Sequence, residues 1–197
     1  MSSRNDILAS IRANRPQVDR PLPNVPLFDA DQPPSLLAAF KQNLERMGGV
    51  FVDPSASGDA LAPVRTMIAS AKVVCSTAKE IAGNRDTSAI AAPGELADVD
   101  FAIVRASFAV AETGSVDLHV NAVAYLAQHL IVLLDPADIV VNLHHAYRRS
   151  EFRDPHYASF HTGPSATADI EGVLIHGAQG VRSLTVAPLK RTAIYHV

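Results

Sequence analysis

Residues 130–134, Leu130-Ile131-Val132-Leu133-Leu134, run directly into Asp135-Pro136. An extended strand sends successive side chains to opposite faces, so five large aliphatics in a row make both faces apolar. Such a strand belongs inside a parallel sheet covered on both sides. On the N-terminal side, β-like runs are predicted at 101–104, 108–111 and 115–120, with earlier strands at 50–52, 73–75 and 88–91. Helical spacing appears between them. Ser35 caps a helix carrying Leu36, Leu37, Phe40, Leu44 and Met47, which Gly48-Gly49 ends, and 59–71 carries Leu61, Val64, Met67 and Ile68. On the C-terminal side, Asp135-Pro136 is predicted to open a helix with Ile139, Val140, Leu143 and Tyr147 on one side, and strands are predicted at 157–160 and 184–186. Strands alternating with helices imply an α/β fold, an open, mainly parallel sheet with helices on both faces.

The 197 residues fit one domain with a short appendage. Six prolines between Pro16 and Pro34 exclude helix interior and central strand there. They divide an N-terminal arm (1–34), with a short basic helix over 3–14, from a domain over 35–197. Trp is absent and aromatics are 6%, so small aliphatics must fill the core. Lys+Arg 17 against Asp+Glu 20 gives a net charge of -3, which leaves nucleic-acid binding without an electrostatic footprint. The single Cys75 excludes an internal disulfide framework and a self-contained iron–sulfur cluster or zinc ribbon; it reads as a buried small hydrophobe. The longest apolar run falls far short of the roughly 20 residues of a membrane helix, and the first residues lack the apolar core of a signal peptide. The expectation is a soluble, cytoplasmic protein without membrane insertion.

In open α/β sheets, ligands sit beyond the carboxyl ends of strands, which directs attention to two loops. The first, Ala111-Glu112-Thr113-Gly114-Ser115, offers two hydroxyls and a glycine that lets backbone N–H groups approach phosphate or carboxylate oxygens. Glu112 reads as a general base or as a support of its own turn. The second spans His161 to Gly180. Gly163-Pro164 turns the chain, and Ser165 or Thr167 is placed to cap a short helix starting near Ala168, with free N–H groups at its positive end. On that helix Asp169 and Glu171 point about 200° apart, one toward a cleft and the other tying down the loop. Gly172, Gly177 and Gly180 allow a second close backbone approach. The two loops are expected to line one shared crevice.

Other candidates read less sharply. His144 and His145 are adjacent on a helix and point about 100° apart; His156 and His161 flank a strand on opposite faces; His161 and His176 converge only through loop folding. No metal site is expected. Ser165 lacks a glycine-flanked nucleophile elbow. Arg148, Arg149 and Arg153 read as a helix-end cluster facing solvent, or as an anion or partner edge.

The pair of motifs Ala-Glu-Thr-Gly-Ser (111–115) and Gly-Pro-Ser-Ala-Thr-Ala-Asp-Ile-Glu-Gly (163–172), with Gly177 and Gly180 beyond, resembles the LutC/YkgG family, the lactate-utilisation (LUD) domain. The resemblance implies the NagB/RpiA/CoA transferase-like fold. It also implies a role beside two iron–sulfur partner proteins in oxidising L-lactate to pyruvate. The family commonly reads Gly-Val-His-Gly-Pro where this chain has Gly177-Ala178-Gln179-Gly180-Val181, which removes an imidazole at 179 and a proline at 181. The expected role is a cluster-free component that binds a small anionic ligand through Thr113, Gly114, Ser115, Gly163, Ser165, Thr167, Glu171, Gly177 and Gly180. Glu112 and Asp169 are the candidate catalytic carboxylates. No cofactor is assigned to this chain, which has neither cluster ligands nor a dinucleotide fingerprint. The alternatives are a stand-alone enzyme on a sugar phosphate or thioester, using Glu112 or Asp169, and a purely structural or regulatory partner.

Overall fold

Residues 129–134 form the middle strand of a five-stranded sheet in the computed structural model, which describes residues 3–16, 20–53, 58–88, 90–119, 122–153, 157–169 and 171–191. The strand order is β1 (Val50–Phe51), β11 (Ser183–Pro188), β6 (His129–Leu134), β3 (Phe101–Arg105), β2 (Val74–Ser76), and every pairing is parallel. Strand alternation sorts the apolar side chains onto two faces. Leu130, Val132 and Leu134 join Ala102, Val104, Leu184 and Val186 on one face, while Ile131 and Leu133 join Ile103 and Ala187 on the other. All five residues of 130–134 are buried, each contributing roughly 1.5–3 kcal/mol relative to exposure.

The second face is covered by α3 (Ala62–Ile68) through Val64, with Leu61 beside it. The first face is covered by α2 (Leu36–Arg46) through Phe40 and Leu44, by α4 (Val123–Leu126), and by a second sheet. That sheet runs β7 (Ile139–Val140), β4 (Ala109–Val110), β5 (Ser115–Leu118), β8 (Ser159–His161); only β7–β4 is parallel. The fold is an open α/β arrangement with a mainly parallel central sheet and helices on both faces.

Local chemistry sets the element ends. The Ser35 side chain accepts from Ala38 N, and Gly48 at φ +84 ends α2. Asp59 Oδ1 accepts from Leu61 N in a turn, so α3 starts later than the predicted 59.

Three expectations are corrected. Residues 135–147 are not one helix: Asp135 caps only a 3-10 turn, Pro136–Asp138, and the β-branched Ile139-Val140 pair extends beside β4. Asn142 then caps a second, short helix, α5 (Leu143–Ala146), followed by α6 (Ser150–Arg153). Ser88, Ile90 and Ala91 form no strand, because Asp86 draws the Ser88 N–H and hydroxyl into a turn. No helix starts near Ala168: β9 (Ala166–Thr167) pairs antiparallel with β10 (Ile175–His176), and the Thr167 hydroxyl donates to Asp169 Oδ2 at 2.8 Å.

The arm begins with α1 (Ser3–Ala13), which buries no residue. Farther along it is tied to the domain: Arg148 Nη2 donates to Val25 O (3.1 Å), Asn142 Nδ2 donates to Leu27 O (2.8 Å), and His145 Nε2 lies 2.5 Å from Asp29 Oδ1. The Phe28 ring rests on His144, with centroids 4.7 Å apart.

Candidate functional site

Strand β8 separates two clefts. Its register against β5 pairs His161 with Val116, Phe160 with Asp117 and Ser159 with Leu118, so Ser159 and His161 share one face and Phe160 turns to the other. Phe160 and Thr162, the residue after the strand, border both clefts. The predicted loops therefore line two adjoining clefts and meet at Thr162.

The first cleft, about 460 Å³, holds Glu112, Thr113 and Ser115 from the first loop together with Asn43 and Arg46 from α2. Ser115 is buried, with its Oγ 2.7 Å from Thr113 Oγ1 and 2.5 Å from Thr162 Oγ1. Three hydroxyl protons serve two hydrogen bonds, so one proton of the chain is free for a ligand. Asn43 Nδ2 donates to Ala111 O at 2.8 Å and pins the loop to α2. Glu112 Oε2 accepts from Leu143 N at 3.1 Å while its side chain stays exposed at the rim. The exposed Arg46 guanidinium makes no ion pair among the described residues. A cation, a free hydroxyl proton and a carboxylate on one rim are able to bind an anion and accept a proton from it.

The second cleft, about 430 Å³, takes Gly163, Ser165 and Gly180 from the second loop. Ser165 N donates to Val181 O at 2.8 Å, and its hydroxyl donates to Gln179 O. Gln179 lines this cleft, and Val181 is buried in the core beneath it. The opposite wall carries a second hydroxyl chain, in which Tyr125 OH lies 2.6 Å from Tyr157 OH and 2.7 Å from Ser159 Oγ. His161 packs on Tyr125 with ring centroids 4.8 Å apart, and its Nε2 is buried without a hydrogen-bond partner. Burial pushes the His161 imidazole below its ordinary value and the Tyr125 phenol above its own.

The remaining predicted residues lie outside both clefts. A Cβ on Gly114 would sit 2.3 Å from Leu44 N, so α2 backbone occupies the space assigned to a ligand. Gly163 repeats the arrangement from the other side, at 2.1 Å from Met47 O. Thr167, Asp169 and Glu171 are on the β9–β10 hairpin, where Asp169 and Glu171 are exposed. Gly177 closes that hairpin against Arg182, with Gly177 N donating to Ser165 O.

Arg46, Thr162, Tyr125 and Tyr157 were not among the predicted site residues. Arg46 reads in sequence as a basic residue complementing the end of α2; only the packing of both loops on α2 brings it to the hydroxyl chain. Arg149 bonds Glu151 and lies over the Phe108 ring, 5.0 Å from its centroid, while Arg148 is engaged by the arm. Cys75 is buried, and that burial raises its thiol. Among the described residues, no three His, Cys, Asp or Glu side chains converge as a metal cage, and no helix is long and apolar enough to cross a membrane. His156 lies outside the described residues.

This geometry defines an open-sheet α/β protein with two clefts on either side of a strand in its second sheet. Residues 91–187 match the LUD domain family, and that part of the chain is similar to it. The fold is also similar to the crystal structure of a DUF162 family protein from Deinococcus radiodurans, at 16% sequence identity and a TM-score of 0.58, covering 77% of this chain and 94% of that one. No curated protein gives a significant sequence match.

Proposed function

We propose that this chain is the cluster-free component of an L-lactate utilisation system, acting beside iron–sulfur partner proteins in the cytoplasm, and that the Arg46 cleft takes its small anionic ligand. The match of residues 91–187 to the LUD domain family supports the lactate assignment. One observation carries the ligand class: an unpaired guanidinium stands in the same cleft as the Thr113–Ser115–Thr162 hydroxyl chain. Arg46 would pair with a carboxylate, and the free proton of the chain would bond one of its oxygens. Glu112 would take a proton from a hydroxyl on the same ligand. Asp169, away from both clefts, has no part in this reading.

Calorimetric titration of the chain with L-lactate, pyruvate and phosphate tests it. Saturable binding of at least one anion is expected, weakened about tenfold or more by Arg46→Ala, since a charge-assisted contact contributes roughly 1.5–3 kcal/mol. An affinity unchanged by that substitution, or no binding at all, overturns the assignment of the cleft. Loss of growth on lactate after deletion of the chain tests the cellular role independently.

A further inference from the structure

The second cleft differs from the first in kind. No charged side chain lines it among the described residues. Its one titratable base, His161, is held neutral by burial at physiological pH, and burial raises the Tyr125 phenol above its ordinary value. Its walls are aromatic, formed by Tyr125, Tyr157, Phe160 and His161. An anion gains no ion pair here, and desolvating its charge is costly.

The polar groups are few and specific. The Tyr157–Tyr125–Ser159 chain has three hydroxyl protons and two internal hydrogen bonds, which leaves one donor for a ligand acceptor. His161 Nε2, buried in the same wall, lacks a partner. A buried polar atom left unpaired is costly, so the wall is one hydrogen bond short. Flat aromatic faces and one surplus donor match a planar ring whose edge carries carbonyl oxygens.

We propose that the cleft between Tyr125, Tyr157 and His161 binds an uncharged planar ring bearing carbonyl groups, the chemistry shared by a quinone and an isoalloxazine. A ring carbonyl accepts a hydrogen bond from the free hydroxyl, and the ring face stacks on tyrosine beside the His161 imidazole. The site is separate from the anion cleft and needs no anion to be present.

The test titrates the intact chain with two uncharged probes, lumiflavin by quenching of its fluorescence and menadione by equilibrium dialysis. Adenosine and glucose serve as controls. Saturable binding of lumiflavin or menadione is expected, and which of the two binds identifies the ring. Tyr157→Ala, which removes a stacking face at a half-exposed position, and His161→Ala are each expected to weaken it at least fivefold, with circular dichroism reporting whether each variant is folded. If His161→Ala does not fold, Tyr157→Ala decides the question. Failure of both rings to bind overturns the proposal, as does binding that the folded variants leave unchanged, or adenosine or glucose binding as tightly as the rings. Because the probes are uncharged and no anion is added, this result stands apart from the anion titration.

Discussion

Gly163 and Gly172 share a left-handed backbone, at φ +71 and +69, but not their surroundings. A Cβ at 163 meets Met47 O at 2.1 Å, whereas one at 172 meets nothing within 4 Å. Gly172→Ala should therefore cost only the backbone penalty, about 1–2 kcal/mol. Gly163→Ala adds displacement of a helix terminus, for a total of about 2–5 kcal/mol. Thermal melts should show Gly163→Ala falling well below Gly172→Ala, and equal losses would mean the close approach carries no energy. The pair also marks how far these residues are legible in sequence. That Gly114 and Gly163 need to be glycine follows from their turns; that the neighbour is α2 rather than a ligand depends on a contact spanning some 70 to 115 residues of chain. Thr113 and Ser115 could be named from their motif, but Thr162, the third hydroxyl, carries no signal of its own.

Among the elements, the buried strands were the most legible, because continuous apolar runs admit few other structures. Residues 139–140 were not, since Ile and Val also fit the helical spacing; the open edge of β4, set by distant parts of the chain, decided between them. The proline arm is an element held by tertiary contacts rather than by helix or sheet. His145→Ala removes its contact to Asp29 while sparing Asn142 and Arg148. An exposed pair of this kind contributes about 0.2–1 kcal/mol. Thermolysin cleavage near Phe28 should then speed up roughly two- to fivefold, following local opening. An unchanged rate would assign the docking to the two carbonyl contacts alone.

At the scale of the whole molecule, two buried groups give stability opposite slopes with pH. The His161 imidazole titrates below its ordinary 6.5. Above 6.5 it is neutral whether the chain is folded or not; as pH falls below 6.5 the unfolded chain gains a proton that the folded chain resists, and stability declines. Asp117 is fully buried, and desolvation raises its carboxyl above 3.8 despite His119 Nε2 at 2.7 Å from Oδ2. Its ionised form destabilises the fold at neutral pH, and this is relieved as acidification carries pH through its folded value toward 3.8. Asp117→Asn should accordingly raise the melting temperature at pH 7, with the gain disappearing below about pH 3.8. A gain that persists in acid would assign the effect to packing.

The C-terminal half of α2 touches everything of interest. Gly114 rests on Leu44, Gly163 rests on Met47, and Asn43, Arg46 and Met47 border the Arg46 cleft, while Gly163 borders the aromatic one. A guest that tugs this helix terminus by a fraction of an ångström disturbs the floor under both clefts. Whatever preference the first guest imposes on the second must, by thermodynamic reciprocity, be returned by the same factor.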